Sequence, residues 1–373
     1  MSNDHYVSQF YFRNFSPDRP DGGSDGPEGG SIRLINLIRR KFVPTASIKG
    51  QCKKAGFHDY KPGLESALGQ LEGSAASAIR GVIEASVPPK LRSADHQALC
   101  TFIAIQRSRT LSAAENADKM ADRMFKVAYE SDPGLEGIDL AHYELKSPYP
   151  VAIPLSMSAQ CAPIAMELGF HVFVNETSEE FVTSDNPVVA HNQYCEGIDY
   201  QGVLGWNCAG IQILFPISPR HLVLLYDAKD YSVGAKHDRS TSRIVDVAEI
   251  RNLNAFQILT ARENIYFSND AMVGPLLAQI ERLDFRRRCK RHITVQTRPI
   301  ADGDRTSELI HQFERMLPLK FCIGSVRIKR NMRRISVNRR AAMVRAPEPV
   351  AGNRPSGEPG SALQYVTRRS FSD

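Results

Sequence analysis

Phe170-His171-Val172-Phe173-Val174, Phe181-Val182-Thr183-Ser184-Asp185-Asn186-Pro187-Val188-Val189, Ile211-Gln212-Ile213-Leu214-Phe215 and Leu222-Val223-Leu224-Leu225-Tyr226 decide the fold. Each run is a short block of β-branched, aromatic or leucine side chains bounded by Gly, Pro, Asn, Asp or Ser, the pattern of strands sharing one sheet. Ser184-Asp185-Asn186-Pro187 puts polar groups where a strand should end, so it is the first candidate for a site.

Toward the C-terminus, Thr241 to Arg262 carries Ile244, Val247, Ile250, Leu253, Asn254 and Ile258 three or four apart and predicts a helix. Ile265-Tyr266-Phe267 reads as a last short strand, and Met272 to Cys289 as a further helix with a strongly cationic end. Toward the N-terminus, Pro148 to Pro163 holds four prolines ahead of a short helix. Three helices precede it: Leu64 to Ile83, Ser93 to Arg109 with Ser93 or Asp95 as cap, and a stretch carrying Ala114, Ala117, Met120, Ala121 and Met124. Ile32 to Ile38 predicts a strand, while Lys41 to Tyr60 shows no period. Residues 4 to 15 bring five aromatic rings close to the N-terminus and are expected to be buried, because a free segment that aromatic would aggregate.

The expected class is α+β: an N-terminal segment docked on a helical half (about 60–165), then a small, mainly antiparallel sheet part (about 168–268) and a helix. This body occupies 1–270. A basic extension follows over 271–345, and a Pro-, Gly- and Ser-rich tail over 346–373 is expected to be disordered.

The 373 residues are 42% hydrophobic and 24% charged, ordinary for a globular chain, and no apolar run reaches the roughly 18 residues of a membrane span. No membrane partner is therefore expected. The start lacks a signal-peptide pattern, and seven scattered cysteines without a Cys-x-x-Cys predict reduced thiols in the cytoplasm. Net charge is +6, but residues 282–345 hold 18 Lys or Arg against 5 Asp or Glu, leaving the remainder at −7. Such a segment attracts phosphate polymers by counterion release, so nucleic acid is the expected partner of the basic region.

Several fragments together resemble a bacterial domain-of-unknown-function family, number 4238, whose members begin His-Tyr-Val-Pro-Gln. The match here is His5-Tyr6-Val7-Ser8-Gln9-Phe10-Tyr11-Phe12-Arg13-Asn14-Phe15, with Ser8 where the family has Pro. The likeness continues at the helix carrying Glu65 and Glu72, at Gln106-Arg107, at Phe181 to Pro187, at Phe215-Pro216-Ile217-Ser218-Pro219, and at Asn254 before Ile265 to Ser268. The resemblance spans about residues 4–270 and brings no settled activity with it.

Glu65 and Glu72 lie seven apart on one helical stripe and are expected to face the core, where each needs a cation or a metal ion. Gln106 shares an apolar face with Phe102 and Ile103, so its amide must hydrogen-bond a neighbouring loop. Arg107 is expected either to face a phosphate or to neutralise Glu65 or Glu72. Asp185 is read either as a metal ligand or base, with His5 as companion, or as a turn residue bonding its own backbone. Gln9, Arg13, Ser184 and Asn254 complete the expected pocket as binding residues. The catalytic set is then His5, Glu72, Gln106 and Asp185, and the metal set His5, Glu65, Glu72 and Asp185. No nucleotide-binding glycine loop, nucleophile elbow or His-Glu-x-x-His is present. The expected activity is a metal-dependent hydrolase, with a divalent ion as cofactor, acting on nucleic acid or another phosphate ester. The alternative is a non-enzymatic nucleic-acid or partner-binding protein in which the same polar residues are structural.

Overall fold

The computed structural model describes residues 3–17, 30–129, 134, 137–196, 202–234, 240–288, 293–302, 305–314, 316, 317, 319, 323–340 and 343–345. The expectations for the tail 346–373 and for Cys289, Lys290 and Arg291 lie outside the described residues.

The fold is α+β. It opens with β1 (Asn3–His5), α1 (Gln9–Arg13), β2 (Ser31–Asn36), β3 (Lys41–Ser47) and β4 (Lys53–Ala55). The helical half is α2 (Leu64–Ala85), α3 (Ala94–Ser108), α4 (Leu111–Tyr129) and α5 (Ala152–Met166). The sheet half runs β5 (Gly169–Asn175), β6 (Thr183–Ser184), β7 (Val189–His191), β8 (Gln212–Ser218), β9 (His221–Tyr226), β10 (Tyr231–Val233) and β11 (Thr241–Ile244). It is followed by α6 (Val247–Thr260), β12 (Asn264–Phe267), α7 (Val273–Arg288), β13 (Ile293–Asp302), β14 (Arg305–Glu314), β15 (Val326–Ile328), α8 (Arg330–Arg333) and α9 (Val337–Arg340).

The four runs that decide the fold do not share one sheet. Strands β5, β9, β8 and β7 form a five-stranded sheet, in the order β11-β5-β9-β8-β7, whereas β6 joins a second sheet, β3-β2-β12-β6. Phe181 and Val182 belong to no strand: the Phe181 N–H donates to the Pro219 carbonyl, and the Asn254 side chain of α6 accepts from the Val182 N–H and donates to the Glu180 carbonyl. Helix α6 is buried along nearly its whole length, as an apolar helix in contact with strands and helix α7 must be.

Three local readings change. The helix expected from Thr241 begins at Val247; Thr241–Ile244 pairs parallel with β5 instead, and Asp246 caps the helix by accepting from the Ala248 N–H. The irregular stretch 41–60 contains β3 and β4, whose mixed faces hid the strand period. Ile265–Phe267 is not the last strand, since β13, β14 and β15 follow.

The N-terminal aromatics are core. Tyr11, Phe12 and Phe15 are fully buried, and Tyr11 stacks on Phe215 at 4.9 Å while its hydroxyl donates to the Pro216 carbonyl. Ser93 caps α3 by accepting from the His96 N–H. The basic C-terminal segment is tied to the body: β15 pairs antiparallel with β10, Arg340 donates to the Tyr194 carbonyl, and Arg345 donates to the Ile164 carbonyl. Among the described residues no helix is long and apolar enough to cross a membrane.

Candidate functional site

The turn between β4 and α2 sets one polar group in place. Gly56 and Gly63 adopt left-handed backbone, at φ 64° and 80°, so the chain reverses tightly on both sides of Phe57-His58. Phe57 packs edge-on against Tyr6, and His58 turns inward until only 2% of it is exposed. Its backbone N–H donates to Asp4 Oδ2 at 2.8 Å, and Nδ1 makes a short contact with Oε1 of Glu65 in the first turn of α2. Nε2 is buried and has no hydrogen-bond partner among the described residues. Donor atoms of Asp4, His58 and Glu65 all lie within 4.8 Å of one another. Burial lowers the pKa of His58 against the opposing pull of Glu65, which keeps the ring neutral and able to offer a lone pair.

A second polar group adjoins it. Arg109, at the C-cap of α3 and 1% exposed, pairs with Glu72 at 2.8 Å, donates from Nε to Gln106 Oε1 at 3.1 Å, and contacts Ser8 Oγ through Nη2. Ser8 Oγ in turn donates to Glu72 at 3.0 Å, and the Gln106 amide donates to the Tyr6 carbonyl at 2.9 Å. A buried guanidinium must be neutralised and saturated, and this network does so while fastening residues 6–8 to α2 and α3. The Arg109 charge also reaches His58, where it helps hold the imidazole neutral.

The residues singled out in the sequence divide by place. Glu65 joins Asp4 and His58, while Glu72 and Gln106 join Arg109; both glutamates are partly exposed, with 53% and 28% of their side chains accessible. His5 faces Gln9 and the Lys49 carbonyl at 3.4 and 3.2 Å. Arg13 lies half-buried in the last turn of α1. Arg107 points elsewhere, over the Trp206 ring at 5.3 Å and onto the Leu204 carbonyl at 3.0 Å. Asp185 accepts from the backbone N–H groups of Arg262, Glu263 and Asn264 at 2.7, 2.7 and 3.1 Å. Ser184 donates to Gln257, and Asn254 serves the backbone of 180–182. His5 and Asp185 thus make no contact with each other, and Asp185 spends its acceptors on a turn.

Asp4 and His58 were not singled out by the sequence. The available signal was weak: His58 follows Phe57 after a glycine, and Asp4 precedes the family-like His5-Tyr6-Val7. Only the antiparallel pairing of β1 with β4, which sets Asp4 opposite Lys54, brings the two together.

Comparison with known protein families matches residues 3–271 to the family described as protein of unknown function (DUF4238). The chain belongs to this family. The match covers β1 through the start of the helical turn before α7, so both polar groups fall inside the DUF4238 region, while α7 and the basic segment lie beyond it. Neither the curated proteins nor the solved structures contain a match to the chain.

Proposed function

We propose that this DUF4238 protein is a metal-dependent hydrolase of phosphate esters, nucleic acid among them, working in a reducing, cytoplasmic environment. One observation carries the reading: Asp4, His58 and Glu65 offer donor atoms within 4.8 Å of one another, beside a buried His58 Nε2 that bonds to nothing among the described residues. Two metal–ligand bonds of about 2.1 Å set ligand atoms up to about 4 Å apart, and the exposed Glu65 has the freedom to swing from its short contact with His58 Nδ1 to such a spacing. The donor set of one neutral imidazole and two carboxylates suits a divalent cation. Such an ion would supply a water acidified enough to attack at neutral pH.

The chain's own groups have defined tasks in this reading. Asp4 is held by the His58 N–H, so one carboxylate oxygen stays aimed at the site. Arg109 keeps Glu72 and Ser8 ordered beside it. Lys53 and Lys54 on β4 are exposed next to Asp4 and His5 and provide positive charge for an anionic substrate.

Calorimetric titration of the full chain with Zn²⁺ and Mn²⁺ tests it. One site is expected, weakened at least ~10-fold in His58→Ala and in Glu65→Gln, with parallel loss of hydrolysis of bis(p-nitrophenyl) phosphate. Metal affinity that survives both changes sinks the reading.

A non-enzymatic reading rests on a separate observation: Asp185, Ser184, Asn254 and Gln106 are all engaged in internal hydrogen bonds. Under it, the same network only fastens the N-terminal segment, and the basic region binds nucleic acid or a partner. The His58 and Glu65 variants would then lower stability and leave every binding signal in place.

A further inference from the structure

A cleft of about 750 Å³ opens where the α2–α3 connection meets the junction of α5 and β5. None of its lining residues belongs to the Asp4, His58 and Glu65 group. Its apolar wall is Pro88, Pro89, Leu91, Met166, Leu168 and Phe170. The polar end is built differently. Helix α3 begins there, fifteen residues long; its cap Ser93 accepts from the His96 N–H, and the remaining first-turn N–H groups present a positive dipole end that Asp95 in the same turn partly offsets. Arg92 stands beside it, exposed, held at a left-handed φ of 64° and without an ion pair among the described residues.

An independent feature points to a ligand. His96 lines the cleft, is 1% exposed, and its Nδ1 is buried with no hydrogen-bond partner among the described residues. The other ring nitrogen lies 3.8 Å from Cys100 Sγ. Burial pushes the Cys100 thiol up to about 12, so it stays protonated and able to donate to Nε2. With that bond made, the single proton of the neutral imidazole sits on Nδ1, as an unused donor. The one acid on the wall, Glu167, is offset by Arg345 at 3.4 Å.

We propose that this cleft binds a small amphipathic anion, a carboxylate or phosphate head meeting Arg92, the α3 N-terminus and His96 Nδ1 while its apolar body lies along Pro89, Leu91, Met166 and Phe170. The volume falls within the range of small-molecule sites, and an apolar wall with a few convergent polar groups is how such sites are made. Helix N-termini favour anions over cations, and the guanidinium fits either head group.

The test uses the full chain and the fluorescent sulfonate anilinonaphthalene sulfonate, displaced by octanoate, octyl phosphate or octanol. Wild type should bind the probe saturably, and an anionic competitor should displace it at a concentration at least ~10-fold below that of octanol. Whichever of octanoate and octyl phosphate is stronger names the head group. Arg92→Gln should erase the preference over octanol, and Ala228→Trp, which fills the cleft from an exposed position, should weaken probe binding at least ~10-fold at unchanged Tm. Anion preference that persists in Arg92→Gln, displacement by octanol as strong as by the anions, or undiminished probe binding in Ala228→Trp overturns the assignment.

Discussion

His191 shows most directly what burial does to a single side chain. It sits opposite Gln212 on neighbouring strands, against the Phe256 ring at 4.8 Å, with neither ring nitrogen partnered among the described residues. Burial takes its pKa down from 6.5 to about 4. A depressed folded value means that the neutral ring's contribution to stability is full above pH 6.5 and is lost as pH falls through 4. Urea unfolding at pH 7 and pH 4 should therefore show His191→Leu relieved of about 3 kcal/mol of the acid-induced loss seen in wild type. Equal acid sensitivity in both proteins would contradict this. Asp185 carries the opposite sign: burial lifts it from 3.8 to about 6 despite three backbone donors, so its charged form is disfavoured as pH rises through that window. Asp185→Ala strands those three N–H groups, and a loss of about 3 kcal/mol is expected by denaturant titration, with metal affinity unchanged. The sequence left open that Asp185 bonds the backbone of its own turn; it instead holds the backbone at 262–264, 77 to 79 residues away, which no local pattern indicates. The pairing of Asp4 with His58 was not visible there, because 54 residues separate them and only strand pairing joins them.

At the scale of elements, helix ends were legible and strand partners were not. Ser93 precedes α3 as a cap should, and Ser93→Ala is expected to cost about 1 kcal/mol, read as a lower urea midpoint. Thr241–Ile244, by contrast, fits the helical period of α6 but is drawn into the sheet by β5, whose edge it covers. Pairing partners override local preference wherever an unpaired edge is available. The same holds for β15, which covers β10 from within a stretch whose composition reads as a solvated tail. Ending the chain after residue 325 should expose Tyr231 and Val233, both 1% accessible in the fold. Amide exchange at Ser232, which the register sets opposite Arg327, should then speed up by at least ~10-fold, whereas an independent appendage would leave that amide protected.

For the whole molecule, charge is the dominant asymmetry. Residues 326–345 contain eight Arg or Lys and no Asp or Glu, and Arg327, Lys329, Arg330, Arg333, Arg334 and Arg339 are exposed. Mounted on β10 rather than trailing in solvent, these cations form a fixed surface, and arginine predominates, the cation suited to bidentate phosphate contact. If this surface binds nucleic acid, as proposed for the basic region, affinity for duplex DNA measured by anisotropy should fall linearly with log salt. The triple change Arg330→Gln, Arg333→Gln and Arg334→Gln should flatten that slope by about 2 to 3. A slope unchanged by the triple variant would place the contact elsewhere. The sequence by itself determined the α+β class, the burial of the N-terminal aromatics, the main helices, the family and the uneven charge, because each is written in composition, local period or short motifs. Tertiary structure alone decided that the four deciding runs divide between two sheets, that Asp4, His58 and Glu65 converge while His5 and Asp185 do not, and that the basic segment completes a strand pair. Those outcomes depend on which distant backbone edges meet, and no local pattern of side chains encodes the partner.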